Sequence, residues 1–234
     1  MQPPAGSLPL YGLDIETDTS RGGLSPLRAG IIAVAVCGDP AAGGSEKVLV
    51  SQNPRGESDL LAQLDQHLAS LEPGILITWN GARFDLPFLH YRAAVCGVAM
   101  GLHIEGPCRQ TSGTSLRAPL FSQAKVARWH HHAHADAIGI YRRLARGTGM
   151  SCALKEVARR SGIDAVREVP TRVHLLDEGR LRRYVASDAR ITRVLAEMQS
   201  ASVIAMVERA SSSTRGHRAR GGNPPGLSTG RTQP

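Results

Sequence analysis

Ile75-Leu76-Ile77-Thr78-Trp79-Asn80-Gly81-Ala82-Arg83-Phe84-Asp85-Leu86-Pro87-Phe88-Leu89 is the stretch that decides the fold class of this 234-residue chain. Its first four residues are apolar or β-branched and follow Pro73-Gly74, the pattern of a short, buried strand. Asn80-Gly81 is a turn pair. A helix is predicted beyond it, over Leu86 to Val98, with Pro87 tolerated in the first turn, where its missing N–H is no loss. A buried strand that runs straight into a helix is the repeating unit of an α/β sheet.

The pattern continues on both sides. Leu8 to Ile15 reads as a strand, Gly30 to Cys37 as a second, β-branched one, and Lys47 to Val50 as a third, antiparallel to it after a Gly-rich turn. Ser58 precedes Leu60, Leu61, Leu64, Leu68 and Leu71, an amphipathic helical stripe. On the C-terminal side, Gly101 to Val126 scatters Gly, Pro and Ser and is expected to be a long loop. A strand follows near Trp129 to Ala135, then helices from Ala137, from Ser151 as N-cap, and from Arg180. Three strands, helix, strand, helix, strand and helices make an α/β fold with a mixed central β-sheet flanked by helices.

Composition bounds the function. With 41% hydrophobic residues the chain can bury a sizeable core. No apolar run reaches the ~18–20 residues of a membrane span, and Met1-Gln2-Pro3-Pro4 lacks the character of a secretory signal. Cys37, Cys96, Cys108 and Cys152 form no C-x-x-C pair, which fits a reducing, cytoplasmic setting better than a disulfide scaffold or a structural zinc site. The net charge of +8 suggests a polyanionic partner. It is carried by arginine, since only Lys47, Lys125 and Lys155 are lysines. Residues 1–7 are expected to be a flexible N-terminus. Ser211 to Pro234 has no acid and little to bury; it is expected to be a disordered basic tail, and its Arg215, Arg218, Arg220 and Arg231 hold four of the eight net charges. The folded domain is expected over 8–210.

Three groups of residues carry chemistry. In Leu13-Asp14-Ile15-Glu16-Thr17, strand alternation puts Asp14 and Glu16 on one face. Carboxylates held that close repel unless a cation neutralises them, and Mg²⁺ or Mn²⁺ favours such oxygens. An acidic strand end in water would show the same pattern. Asp85 falls at a strand-to-helix junction, where catalytic groups and plain N-caps both occur. Tyr184 and Asp188, spaced i and i+4, share one face of the last predicted helix beside its apolar positions Leu181 and Val185. A local hydrogen bond would also account for that pair. No G-x-x-x-x-G-K-[ST] occurs, which disfavours a P-loop.

Taken in order, D-x-E, N-G-x-x-F-D and Y-x-x-x-D resemble the three motifs of the DEDD superfamily of 3′–5′ exonucleases, in its Tyr-bearing branch. The spelling is similar to the proofreading domain of family B DNA polymerases, where D-I-E-T and N-G-x-x-F-D-x-P-[FY]-L recur. His134-Ala135-Asp136 looks like that family's H-x-D segment, and Ser151-Cys152-Ala153-Leu154-Lys155-Glu156-Val157-Ala158 looks like its S-L-x-x-V-A helix. The resemblance spans roughly Leu8 to Met198. It implies an RNase H-like fold and a 3′–5′ exonuclease acting on nucleic acid, chiefly single-stranded DNA 3′ ends, through two divalent cations, Mg²⁺ or Mn²⁺. The exonuclease is expected to stand alone, since nothing beyond this region is expected to fold independently. Asp14, Glu16, Asp85 and Asp188 would be the metal-binding carboxylates. Tyr184, a phenol with a reference pKa of ~10, would orient the attacking water rather than act as a base. Asn80, Phe84 and Thr17 would grip the terminal nucleotides, with base stacking on Phe84; a core role suits Phe84 equally. Asp136 is a weaker candidate. An RNA exonuclease of the same superfamily and a non-catalytic nucleic-acid-binding module are the alternatives. His130, His132 and His134 would share one face of an extended strand, but hard Mg²⁺ prefers oxygen, and an exposed edge with one packed His suits them better.

Overall fold

The computed structural model describes residues 8–18, 20, 25–40, 43–51, 56–105, 126–165 and 172–220. Seven strands form one mixed sheet: β1 (Leu10–Thr17), β2 (Ile31–Cys37), β3 (Glu46–Val50), β4 (Ile75–Thr78), β5 (Leu102–Glu105), β6 (Val126–Trp129) and β7 (His132–Asp136), in the order β3-β2-β1-β4-β7-β6-β5. β1, β4 and β7 run parallel; β2, β3, β6 and β5 pair antiparallel. The helices are α1 (Gly56–Ser70), α2 (Asp85–Cys96), α3 (Ile138–Leu144), α4 (Leu154–Arg160), α5 (Glu178–Glu197) and α6 (Ser200–Arg220). Apart from two additional strands before α3, the order expected from the sequence is present, and the fold is an RNase H-like α/β fold.

Strand alternation sorts the helices onto the two faces. Leu13 and Ile15 of β1, Val34 and Val36 of β2, and Leu76 of β4 point one way, into a core shared with Leu60, Leu61, Leu64 and Leu68 of α1 and Leu86, Phe88 and Leu89 of α2. The alternate residues Ala33, Ala35 and Cys37 meet Leu181, Val185, Ala186 and Ala189 of α5 on the other face. Ile75 and Ile77 meet α3 and α6 there through Ile140 and Val203. Asp14 and Glu16 belong to the α5 face.

A buried ion pair ties the first face together. Arg92 of α2 donates from Nε and Nη2 to the Glu57 carboxylate of α1 at 2.8 and 2.6 Å, and from Nη1 to the Pro26 carbonyl at 2.8 Å. Glu57 Oε1 also accepts from the Ile31 N–H that opens β2. One buried carboxylate and one guanidinium thus join two helices, a strand start and the preceding turn.

The structure corrects several expectations. Gly101 to Val126 is not wholly irregular: Leu102–Glu105 is a strand paired with β6, while residues 106–125 lie outside the described residues. The strand expected over Trp129 to Ala135 is two strands, broken by a turn at His130-His131 with His130 at φ 51°. His132 and His134 still share one face of β7, but His130 lies in the turn and is off that face. His130, His131 and His132 instead donate from Nε2 to the carbonyls of Asp65, Leu71 and Leu68 at the end of α1, at 3.2, 2.7 and 2.8 Å. Three imidazoles in sequence thus bond to backbone carbonyls in and just after the C-terminal half of α1, a docking role. Ser151 is not the N-cap of α4, which is Ala153; its Oγ accepts from the Ala153 N–H instead. α5 begins at Glu178, two residues before the expected Arg180, and Asp177 caps it by accepting from the Arg180 N–H at 2.8 Å. The tail expected from Ser211 begins as helix, because α6 runs on to Arg220. Val203, Met206 and Val207 dock the first half of α6 on the sheet. Residues 1–7 and 221–234 lie outside the described residues.

Breaking the buried pair should be costly on one side only. Arg92→Met is expected to destabilise the protein by about 3–5 kcal/mol, because it strands the Glu57 carboxylate, as read by urea unfolding. Arg92→Met with Glu57→Gln together should recover part of that loss.

Candidate active site

The site is assembled where β1 and α5 touch. Gly12, Asp14 and Glu16 lie on the same face of β1, and Gly12 lets the helix come close. A Cβ on Gly12 would fall 2.0 Å from the carbonyl oxygen of Ala189. Small residues on β2, Ala33 and Ala35, and on α5, Ala186 and Ala189, keep the approach tight across the neighbouring strand. Ala189 follows Asp188, so this contact delivers the Asp188 carboxylate to the β1 acids. Carboxylate oxygens of Asp14, Glu16 and Asp188 all lie within 4.8 Å of one another.

Burial and crowding set the electrostatics. Asp14 is held well above the usual carboxylate range, first by burial and then by the charges of Glu16, Asp188 and Asp85. Glu16 is pushed up to about 8 by burial, with Asp188 and Asp85 adding to the effect. Asp188 is raised by burial, and Lys155 opposes the shift. Tyr184, one turn before Asp188 and 8% exposed, has its phenol raised by burial and by the charges of Asp188, Glu16 and Asp14. It therefore stays protonated at any ordinary pH.

Asp85 opens α2 beside this group but outside the 4.8 Å cluster. Its pairing with the site comes from a strand ending early. β4 pairs with β1 only over Leu10 to Gly12, and the Asp85 carboxylate accepts hydrogen bonds from the Ile15 N–H and from its own N–H. Burial nevertheless pushes it up to about 7. The expected plain N-cap role does not apply, since Phe84 is the N-cap and no side chain caps the helix. Asn80 takes φ 71°, the left-handed conformation of the turn, and its N–H donates to Asp136 Oδ1 at 2.8 Å. Asp136 Oδ2 accepts from the Ala82 N–H at 3.2 Å. Phe84 is half-buried against the core, 5.4 Å from the Phe88 ring. Thr17 is 5% exposed and sits at a register shift after Glu16.

The structure thus brings Asp14, Glu16, Tyr184 and Asp188 together, with Asp85 alongside and Asn80, Phe84 and Thr17 at the neighbouring strand ends. Two residues carry more than the sequence reading gave them. Asp136, the acid of the H-x-D segment, holds the Asn80 turn that launches Asp85. Lys155 of α4 was missed: its Nζ lies 3.1 Å from Asp188 Oδ1 and 3.8 Å from the centre of the Tyr184 ring. The signal available was its identity, a lysine in a chain whose cations are nearly all arginine.

Oxygen donors only, three of them converging and their charges mutually unfavourable, form a donor set that suits a hard divalent cation such as Mg²⁺ or Mn²⁺. A family profile described as a predicted 3′–5′ exonuclease related to the exonuclease domain of PolB matches residues 27–168, more than half of the chain. The chain belongs to this family. The stretch that matches these PolB-related exonucleases holds Asn80, Phe84, Asp85, Asp136 and Lys155, whereas Asp14, Glu16, Tyr184 and Asp188 lie outside it. The catalytic subunits A and B of DNA polymerase epsilon from Arabidopsis thaliana are each 38% identical over 61 residues, 26% of this chain. The match spans only 3% of the length of either subunit. The family B DNA polymerase of the hyperthermophilic archaeon Pyrobaculum calidifontis superposes on 85% of this chain with a TM-score of 0.59 and 23% identity, over 25% of its own length. That likeness is one of fold.

Two predictions follow from crowding. Glu16 and Asp85 sit near 8 and 7 in the fold, against ordinary values of ~4.3 and ~3.9 when unfolded. The folded state therefore binds more protons at these acids, while below about 6.5 the buried His134, held down to about 4, works the other way; metal-free stability should fall as pH rises from about 6.5 to about 8. Thermal midpoints across that range in EDTA check this, and a midpoint that rises with pH would contradict it. Gly12→Ala should cost about 2–3 kcal/mol by forcing α5 off β1 and should weaken Mn²⁺ binding at the same time, both measurable by titration on one preparation.

Proposed function

We propose that this protein is a divalent-metal-dependent 3′–5′ exonuclease of the Tyr-bearing type that removes nucleotides from single-stranded DNA 3′ ends. The observation that carries the reading is the convergence of Asp14, Glu16 and Asp188 within 4.8 Å at the meeting of β1 and α5, on a fold shared with a family B polymerase and in a chain of the PolB-related family. The relatives named above are DNA polymerases, which favours DNA over RNA.

In this reading Asp14, Glu16 and Asp188 hold the cations, with Asp85 completing the set from the end of β4. Two bound divalent cations would lower the pKa of a water and neutralise the departing 3′ oxygen. The chain's own residues prepare the geometry. Asp14 and Glu16 are fixed by the β1 ladder, Asp188 by the close helix contact at Gly12, and Asp85 by the Ile15 N–H. The Tyr184 hydroxyl, protonated at working pH, acts as a hydrogen-bonding positioner for the attacking water and not as its base. Asn80 and Phe84, at the turn after β4, would grip the terminal nucleotide, with a base stacking on the exposed part of the half-buried Phe84 ring. The basic surface outside this acidic centre would draw the polyanion in.

A gel with 3′- and 5′-labelled single-stranded DNA, duplex DNA and RNA in Mg²⁺ or Mn²⁺ tests polarity and substrate together. Wild type should shorten single-stranded DNA from its 3′ end. Asp14→Ala and Asp188→Ala should each lower the rate by about 10³-fold or more, and Tyr184→Phe by a smaller factor of about 10–10². Cleavage by both Asp variants at the wild-type rate would sink the mechanism, and faster digestion of RNA than DNA would reassign the substrate.

A further inference from the structure

Lys155 is one of three lysines among 28 Lys and Arg residues, and it stands inside the acidic centre. Its side chain is 18% exposed and that of Asp188 is 10% exposed, so this is not a solvated surface pair. Nζ lies 3.1 Å from Asp188 Oδ1 and over the Tyr184 ring at 3.8 Å, and its charge also offsets the repulsion felt by Asp14 and Glu16. Among the described residues it is the one cation whose charge acts on all three converging acids. We propose that Lys155 is a resident counter-cation, holding the carboxylate group together in the metal-free protein and giving up Asp188 when a divalent cation binds. This rests on the metal-site reading above.

Three features support an exchangeable role. An ammonium is a compact point charge on a flexible stem, so it leaves a carboxylate more readily than a guanidinium that grips with two N–H groups. The contact over Tyr184 gives the ammonium a second attractive partner once Asp188 is taken, worth more where solvent is partly excluded. α4 itself stays in place, because Val157 and Ala158 pack against Ile191 and Leu195 of α5. The movement is therefore one of a side chain and needs no displacement of the helix. The consequence is a metal affinity set below what the bare acids would give, in return for a metal-free site that does not push itself apart.

The test compares wild type, Lys155→Met, Lys155→Arg and, as a control of equal charge change, Lys47→Met on exposed β3. Mn²⁺ affinity is read by calorimetry and thermal midpoints are read with EDTA and with saturating Mn²⁺. Lys155→Met should bind Mn²⁺ about tenfold more tightly, melt lower than wild type in EDTA, and lose that deficit with Mn²⁺. Lys155→Arg should bind Mn²⁺ more weakly than wild type, which keeps the idea testable if the Met variant does not fold. Lys47→Met should match wild type throughout. Unchanged Mn²⁺ affinity in Lys155→Met or in Lys155→Arg overturns the proposal while leaving the nuclease reading intact. A wild type that binds no Mn²⁺ overturns both, and one that binds Mn²⁺ but cleaves nothing overturns the nuclease reading alone.

Discussion

The structure is organised around the confinement of like charge. Asp14, Glu16 and Asp188 are forced within 4.8 Å of one another in a partly buried place, with Asp85 close by. Left to themselves such groups separate or take up protons, and burial raises the pKa of all four. Only a rigid frame can impose that arrangement. The unfavourable energy held in it is available to a cation that neutralises it, which is how a binding site is pre-organised.

The frame consists of contacts whose purpose is otherwise obscure. Gly12 on β1 serves no turn, yet any side chain there would collide with the Ala189 carbonyl and lift Asp188 away. The Glu57–Arg92 pair on the opposite face clamps α1, α2 and the start of β2, and β2 is the strand that fixes β1 over Gly12 to Thr17. Asp136, on β7, reaches across β4 to hold the Asn80 turn and so aims Asp85. Among the described residues, Lys155 supplies the one compensating charge on all three converging acids. The acidic centre therefore depends on residues from both faces of the sheet.

How much of this the sequence disclosed follows from the range of each interaction. The strand from Leu10 and the stretch from Ile75 to Leu89 were legible because alternation, Asn-Gly and a Pro in the first helical turn are local signals. The co-facing of Asp14 with Glu16, and of Tyr184 with Asp188, was legible for the same reason: strand and helix periods are fixed. Their convergence was accessible only through the ordered resemblance to a known family. The strand at Leu102–Glu105 was hidden because four residues bordered by Gly101 and a Gly- and Pro-bearing stretch carry little pattern. The split at His130-His131 was hidden because three histidines look the same extended or turned, and their partners on α1 lie some sixty residues away. The docking of Val203 and Met206 on the sheet is a tertiary effect that composition does not report. Lys155 was overlooked because spacing alone cannot place a residue of α4 against α5.

The central claim is that these carboxylates exist to hold divalent metal at the junction of β1 and α5. The most direct measurement is the anomalous difference map of a crystal grown with Mn²⁺. The account predicts strong peaks within coordination distance of Asp14, Glu16 and Asp188, with Lys155 Nζ withdrawn from Asp188. A fully formed protein whose map shows Mn²⁺ elsewhere, or none between those three side chains at saturating metal, would contradict it.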